Sequence, residues 1–171
     1  MLKLIGAAAI LCGCASALWS WHGYRKRRLR QLEETVRFLG WLGDAVTRQH
    51  RTLPECFESY PAGDAALAGT LSQTAKLLRQ NRYRRGDEAW KHALEETRGE
   101  WCLSAEQREL LTGLCASFFA GSSRRIGEAL GQDGLRLTDA LERDRAEYRR
   151  QRRVFAPVGM LTGLMLIVIL M

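Results

Sequence analysis

The sequence predicts an all-α protein, an antiparallel bundle of about six helices with a transmembrane helix at each end. Apolar residues recur at three- and four-residue steps along its middle, and no stretch alternates with period two. The first apolar segment, Leu2–Trp21, is 20 residues long with one charge, and Phe155–Met171 is 17 residues long with none. A span of about 20 residues crosses a bilayer core of roughly 30 Å. We therefore divide the chain into residues 1–24 (first membrane helix), 25–153 (bundle) and 154–171 (second membrane helix).

The first bundle helix is expected to run directly out of the first membrane segment and to stop near Arg51. Its stripe of apolar residues follows helical spacing: Leu29, Leu32, Val36, Leu39, Leu42 and Val46. Thr52 and Glu55 then form a capping-box pattern, which predicts a short second helix over Leu53–Tyr60.

The third helix is predicted over Ala65–Gln80, after a break at Pro61–Asp64. We expect Ala68, Leu71, Ala75 and Leu78 to lie on one side of it. A fourth helix is predicted over Gly86–Thr97.

Ser104 and Gln107 form a second capping-box pattern and predict the start of a fifth helix that ends at Gly121. The sixth helix should begin near Ser123, keep an apolar stripe to Arg153 and lead into the second membrane segment.

The net charge of +7 comes from two clusters at the edges of the bundle. Residues 31–148 hold all 19 acidic residues and 16 of the 26 basic ones, a net charge of −3. That balance argues against a nucleic-acid partner, because a nucleic-acid module keeps its basic excess within the folded part. The cations that make up the clusters are Arg25, Lys26, Arg27, Arg28, Arg30, Arg149, Arg150, Arg152 and Arg153.

These clusters adjoin the two apolar segments, so by the positive-inside rule they determine topology. The rule places residues 25–153 in the cytoplasm and both termini outside. Anionic lipid headgroups are an expected partner of the same cations. The alternative for the first segment is a lipoprotein signal, since Leu11–Cys14 resembles a lipobox. The apolar run continues past Cys14 to Trp21, which favours an uncleaved membrane helix.

No residue set in the sequence predicts catalysis, a cofactor or a metal site. The three histidines and five cysteines fall in no metal-binding spacing, and no glycine-rich phosphate loop is present. Cys56 near His50 is the one thiol–base candidate, and a buried structural thiol is the favoured interpretation. Trp90 and Trp101 are expected in the core. We therefore expect a protein that is not an enzyme.

Several strings resemble the stage III sporulation protein AB family. They are the opening MLKLIGAAAIL, the turn TLPECF at residues 52–57, Ala89-Trp90 with Ala93-Leu94, and the closing VGMLTGLMLIVIL. Their order and the chain length agree with that family, so the resemblance covers essentially the whole chain.

The resemblance implies a platform protein similar to the cytoplasmic domain of the inner-membrane platform proteins of type II secretion and type IV pilus machines. It implies a place in the outer forespore membrane, on the mother-cell side of a sporulation channel complex. The implied partners are the cytoplasmic secretion-type ATPase and the other membrane components of that complex. Beside the matched turn, Glu55 and Glu58 are our choice for the docking face. The alternative function is a generic membrane-anchored signalling or scaffolding adaptor.

Overall fold

The computed structural model describes the backbone of residues 2–80, 83 and 85–170, and the side chains of residues 16, 20, 22–80, 83 and 85–151. Six α-helices occur within this part of the chain, and it contains no strand. The prediction of an all-α protein with about six helices is confirmed. In chain order the helices are α1 (Leu2–Thr47), α2 (Leu53–Ser59), α3 (Ala65–Arg79), α4 (Gly86–Glu96), α5 (Ala105–Phe118) and α6 (Ser123–Leu170).

The helix starts follow the predicted local signals, whereas α1 ends at Thr47 and α5 at Phe118, before the predicted Arg51 and Gly121. Pro54 lies in the first turn of α2, and Glu55 accepts a hydrogen bond from the Thr52 amide at 3.2 Å. At α5 the Ser104 hydroxyl accepts from the Gln107 amide, and the Gln107 side chain accepts from the Ser104 amide at 3.2 Å. A short 3₁₀ helix, Arg98–Glu100, follows α4 and was not predicted.

The chain divides into two compact units, one of residues 1–27 and 142–171 and the other of residues 28–141. Among the described residues, no helix combines the length and apolar character needed to cross a membrane. The predicted segments Leu2–Trp21 and Phe155–Met171, and the lipobox-like Leu11–Cys14, fall on residues whose side chains mostly lie outside that description.

The core of unit 28–141 is built around aromatic rings. The Trp90 and Phe118 rings meet edge to face with centroids 4.8 Å apart, and Phe57 lies 5.6 Å from Phe118. Phe38 of α1 contacts the same Phe118 ring at 6.3 Å. Edge-to-face geometry adds to the stabilisation that burial of these large rings provides. These rings join four helices in one core, which α3 and α6 complete with aliphatic side chains.

The buried side of α3 includes residues that the predicted apolar side left out. Leu67, Thr70, Leu71, Thr74 and Ala75 are buried, whereas the predicted Ala68 and Leu78 are only half-buried. Leu78 packs against the core, and the predicted side omitted the two threonines because it counted apolar residues alone. The two threonines satisfy their hydroxyls by donating to backbone carbonyls four residues earlier, at 2.8 and 2.7 Å. A threonine bonded in this way can be buried like an apolar residue.

Candidate partner-docking face

Glu55 and Glu58 both lie on the exposed side of the short helix α2. The Glu55 carboxylate turns back to cap the helix, and the Glu58 Oε2 atom pairs with the Arg79 guanidinium of α3 at 2.6 Å. Both side chains of this ion pair are substantially exposed, so its contribution to stability is small. Both carboxylates are therefore accessible to another protein, although each already binds a group of this chain: Glu55 the Thr52 amide and Glu58 the Arg79 guanidinium.

A shallow pocket of about 380 Å³ lies over these acids, lined by Arg51, Glu55, Glu58 and Ser59. Arg51 donates from Nη1 to the Ser59 hydroxyl at 3.4 Å across it. Beneath the pocket, Cys56 and Phe57 of the same helix enter the core. The surface therefore carries both positive and negative charge and lies on a helix that is packed into the core. A partner that binds Glu58 has to supply a cation that competes with Arg79.

Cys56 is fully buried and free, as the structural-thiol interpretation required. Burial raises the pKa of the Cys56 thiol above its ordinary value of 9.0; the charge of Arg51 lowers this pKa by a smaller amount, and Glu55 adds a small increase. A nucleophilic cysteine needs a lowered pKa and access to solvent. His50 lies exposed at a left-handed backbone position with φ of 52°, just after α1. The two residues do not form a thiol–base pair suited to catalysis.

The remaining chemical candidates have structural roles. Trp90 is buried and donates from its indole nitrogen to the Leu111 carbonyl at 2.9 Å. Trp101 donates to the hydroxyls of Thr70 and Thr97 at 3.2 and 3.3 Å. Within the described residues no three His, Cys, Asp or Glu side chains are placed to hold a metal ion.

The edge cations divide between paired and exposed groups. Arg25 pairs with Glu147 at 3.4 Å, and Arg28 donates from Nε to Gln107 Oε1 at 2.8 Å. The side chains of Arg152 and Arg153 lie outside the described residues. The exposed cations of these clusters are Lys26, Arg27, Arg30, Arg149 and Arg150.

Gln31 organises the bundle through long-range hydrogen bonds that the sequence did not predict. This side chain is fully buried on α1 and makes three hydrogen bonds to other parts of the bundle. Its Nε2 donates to Asp64 Oδ1 at 3.2 Å and to the Glu100 carbonyl at 3.0 Å, and its Oε1 accepts from the Cys102 amide at 2.8 Å. In the sequence, the one sign of this role is that Gln31 is a polar residue next to Leu32 of the apolar stripe.

A larger groove of about 790 Å³ lies between the bundle portions of α1 and α6. Glycines line it on both helices: a Cβ added at Gly40, Gly43, Gly131 or Gly134 would meet no atom within 4 Å. Leu135 stands at its edge with 69% of its surface exposed. No internal packing requires these four glycines, so the groove remains open in the isolated chain.

Together these features define a small all-α bundle protein whose first and last helices each contribute to both units. The model of the family "Stage III sporulation protein AB (spore_III_AB)" matches residues 3–171. The chain therefore belongs to the stage III sporulation protein AB family, as its motifs indicated, and this membership supports a role in sporulation.

The comparison of structures agrees with this assignment at the level of the fold. A solved structure titled "Stage III sporulation protein AB (SpoIIIAB)" superposes with a TM-score of 0.62 at 13% identity. The match covers 72% of this chain and 98% of that one. No curated protein sequence matches the chain significantly.

Proposed function

We propose that this chain is a membrane-anchored platform of a sporulation-specific, secretion-like channel complex. In this proposal it docks the cytoplasmic ATPase of the complex and couples it to the membrane. The two ends lie outside, and the bundle lies in the mother-cell cytoplasm beneath the outer forespore membrane. Family membership supports the setting, and the proposed topology follows from the positive-inside rule.

One observation carries the anchoring part of the proposal. Helices α1 and α6 are continuous over 46 and 48 residues, from the apolar terminal sequences into residues that build the bundle core. Leu32, Phe38 and Leu42 of α1 are fully buried, as Leu130 and Leu137 of α6 nearly are. A continuous α-helix transmits displacement along its axis better than a loop connection would, because its backbone hydrogen bonds are internal.

The exposed side of α2 is the proposed ATPase-docking face. Glu55 and Glu58 lie three residues apart, which places them on the same side of the helix. Their chemistry favours a basic patch on the ATPase, and the charge of Arg51 beside them limits which basic patch fits.

The test is a pull-down of the ATPase by the full chain in neutral detergent. We expect Glu55→Arg/Glu58→Arg to reduce binding at least tenfold, since it places like charge against the proposed basic patch. Glu55→Gln/Glu58→Gln should also weaken binding while preserving the cap of α2, because glutamine can serve as the third residue of a capping box. Undiminished binding by both variants would remove α2 as the docking face.

The matched control is Glu106→Arg/Glu109→Arg on α5. These two acids are also exposed and three residues apart, so the control makes the same charge change elsewhere on the bundle. It should bind the ATPase like the wild type. A wild-type chain that does not bind the ATPase at all would exclude the docking function and favour a generic adaptor.

A further inference from the structure

Within the unit of residues 1–27 and 142–171, two contacts place the start of the first basic cluster at the same level as the start of the second. The His22 Nδ1 atom lies 3.2 Å from the Tyr148 hydroxyl, and their rings meet edge to face with centroids 5.7 Å apart. The Arg25 guanidinium pairs with Glu147 Oε1 at 3.4 Å. Residues 22–25 of α1 and residues 147–148 of α6, separated by more than a hundred residues along the chain, therefore lie side by side.

Four cations of this level are exposed and have no carboxylate partner among the described residues: Lys26, Arg27, Arg149 and Arg150. The acidic groups on the same stretch of α6 are Glu142, Asp144 and Glu147. Glu147 is occupied by Arg25 and by Gln151, whose Nε2 donates to it at 3.0 Å. Asp144 is buried, so it offers little surface to these cations.

The level is thin enough to match one headgroup layer. With a rise of about 1.5 Å per residue, residues 22–27 cover about 8 Å of α1 and residues 147–150 about 5 Å of α6. The polar zone on one side of a bilayer is roughly 5–8 Å thick. Along the chain, the apolar segment Leu2–Trp21 ends, and the apolar segment Phe155–Met171 begins, within a few residues of these cations.

We propose that Lys26, Arg27, Arg149 and Arg150 form a single binding surface for anionic phospholipid headgroups, contributed jointly by α1 and α6. Charge complementarity carries this assignment, because four exposed cations without a carboxylate partner attract the phosphates of anionic headgroups. The inference rests on the membrane attachment in the proposed function, and it adds a preference for one lipid class.

The experiment uses the full chain purified in a neutral detergent and supplied with equal amounts of phosphatidylglycerol and phosphatidylcholine. Native mass spectrometry counts which lipid stays bound. Each basic residue near such a surface changes affinity about fivefold, so four together should give the wild type a clear preference for phosphatidylglycerol. Replacing all four by glutamine should lower that preference at least tenfold.

The matched control replaces four exposed cations of the bundle by glutamine: Arg37, Arg51, Lys76 and Arg125. It should retain the wild-type preference. Circular dichroism checks that both variants keep their helix content. The proposal is overturned if the first variant keeps its preference, or if the control loses as much.

Two further measurements distinguish a lipid site from a general anion site, and a failure of lipid selection from a failure of membrane anchoring. Inorganic phosphate at matched ionic strength should leave the lipid preference intact, and its abolition would show a general anion site instead. Sedimentation of the same chains with cell membranes tests anchoring separately. A variant that sediments normally but shows wild-type lipid selection contradicts only this inference, whereas a wild type absent from membranes contradicts the proposed function.

Discussion

Gln31 of α1 donates a hydrogen bond from Nε2 to Oδ1 of Asp64, the residue that caps α3, over 3.2 Å. The same Asp64 oxygen accepts from the Ala66 amide at 3.0 Å, so one carboxylate both starts a helix and fastens it to α1. Gln31 also holds the Glu100 carbonyl and the Cys102 amide. A buried amide with all of its partners in place specifies one arrangement of these segments.

Gln31→Ala should lower the free energy of unfolding of the bundle by about 2–4 kcal/mol, since it removes three hydrogen bonds of a buried amide, one of them to a carboxylate. The measurement is urea unfolding of the full chain in neutral detergent, followed by circular dichroism. Gln132→Ala, on an exposed part of α6, should change the same quantity by less than about 0.5 kcal/mol. Equal effects of the two changes would show that the Gln31 hydrogen bonds are dispensable.

The glycines of the bundle should respond to alanine in opposite directions. Gly131 lies inside α6 with no atom near an added Cβ, so Gly131→Ala should stabilise the chain by about 0.5–1 kcal/mol. An added Cβ at Gly86 would instead collide with the Phe119 ring, so Gly86→Ala should destabilise it by about 1–3 kcal/mol. Thermal unfolding of the two single variants measures both signs, and a destabilised Gly131→Ala would contradict the open groove.

Local signals in the sequence predicted the helix starts well, because a capping box involves only residues within one turn. Both boxes, at Thr52–Glu55 and Ser104–Gln107, occur as expected. Local sequence signals could not predict which residues of α3 are buried. Thr70 and Thr74 look polar in the sequence, and only the folded helix shows that their hydroxyls are satisfied internally.

In the candidate docking face too, contacts between residues close in the sequence were predictable and contacts between distant residues were not. The capping role of Glu55 was predictable because Thr52 lies three residues before it. The ion pair of Glu58 was not readable, since Arg79 lies 21 residues away on another helix. Gln31 was missed for that reason also: its partners lie 33 to 71 residues further along the chain.

The stability of the bundle should fall as the pH rises above about 9. Burial raises the pKa of the Cys56 thiol above 9.0; burial and then Glu34 raise the pKa of Tyr60 above 10.0, while Arg37 lowers it. In the unfolded chain both groups lose their protons at lower pH than in the fold. The unfolded state therefore binds fewer protons in this range, and unfolding becomes easier as pH increases.

The check is a series of urea unfolding curves from neutral pH to about pH 10.5, the range in which thiols and phenols ionise. Cys56→Ala should lower stability at every pH through the lost packing, and should also flatten the first part of the decline. A decline as steep in the variant as in the wild type would show that Cys56 is not responsible for it.

Arg28 and Lys26 belong to the same basic cluster but should have separable roles. Arg28 donates to Gln107 Oε1 at 2.8 Å, the oxygen that also accepts from the Ser104 amide at 3.2 Å and so completes the cap of α5. Lys26 is exposed and unpaired among the described residues. Arg28→Gln should therefore lower the free energy of unfolding by about 1–2 kcal/mol, because a hydrogen bond to a charged donor is lost. Lys26→Gln should change it by less than about 0.5 kcal/mol.

The orientation of the chain in the membrane is a second measurement on the same basic clusters. A cysteine is introduced near each terminus and labelled from either side of the membrane. Replacing the exposed cations Lys26, Arg27, Arg149 and Arg150 by glutamine should produce a mixed orientation, because the positive-inside signal depends on lysine and arginine near the membrane segments. Arg28→Gln alone should leave the orientation unchanged despite its effect on stability. If the fourfold variant keeps a single orientation, these cations do not set the topology, and their exposure needs another explanation. If Arg28→Gln changes orientation but not stability, the bond to Gln107 is not what retains this arginine in the bundle.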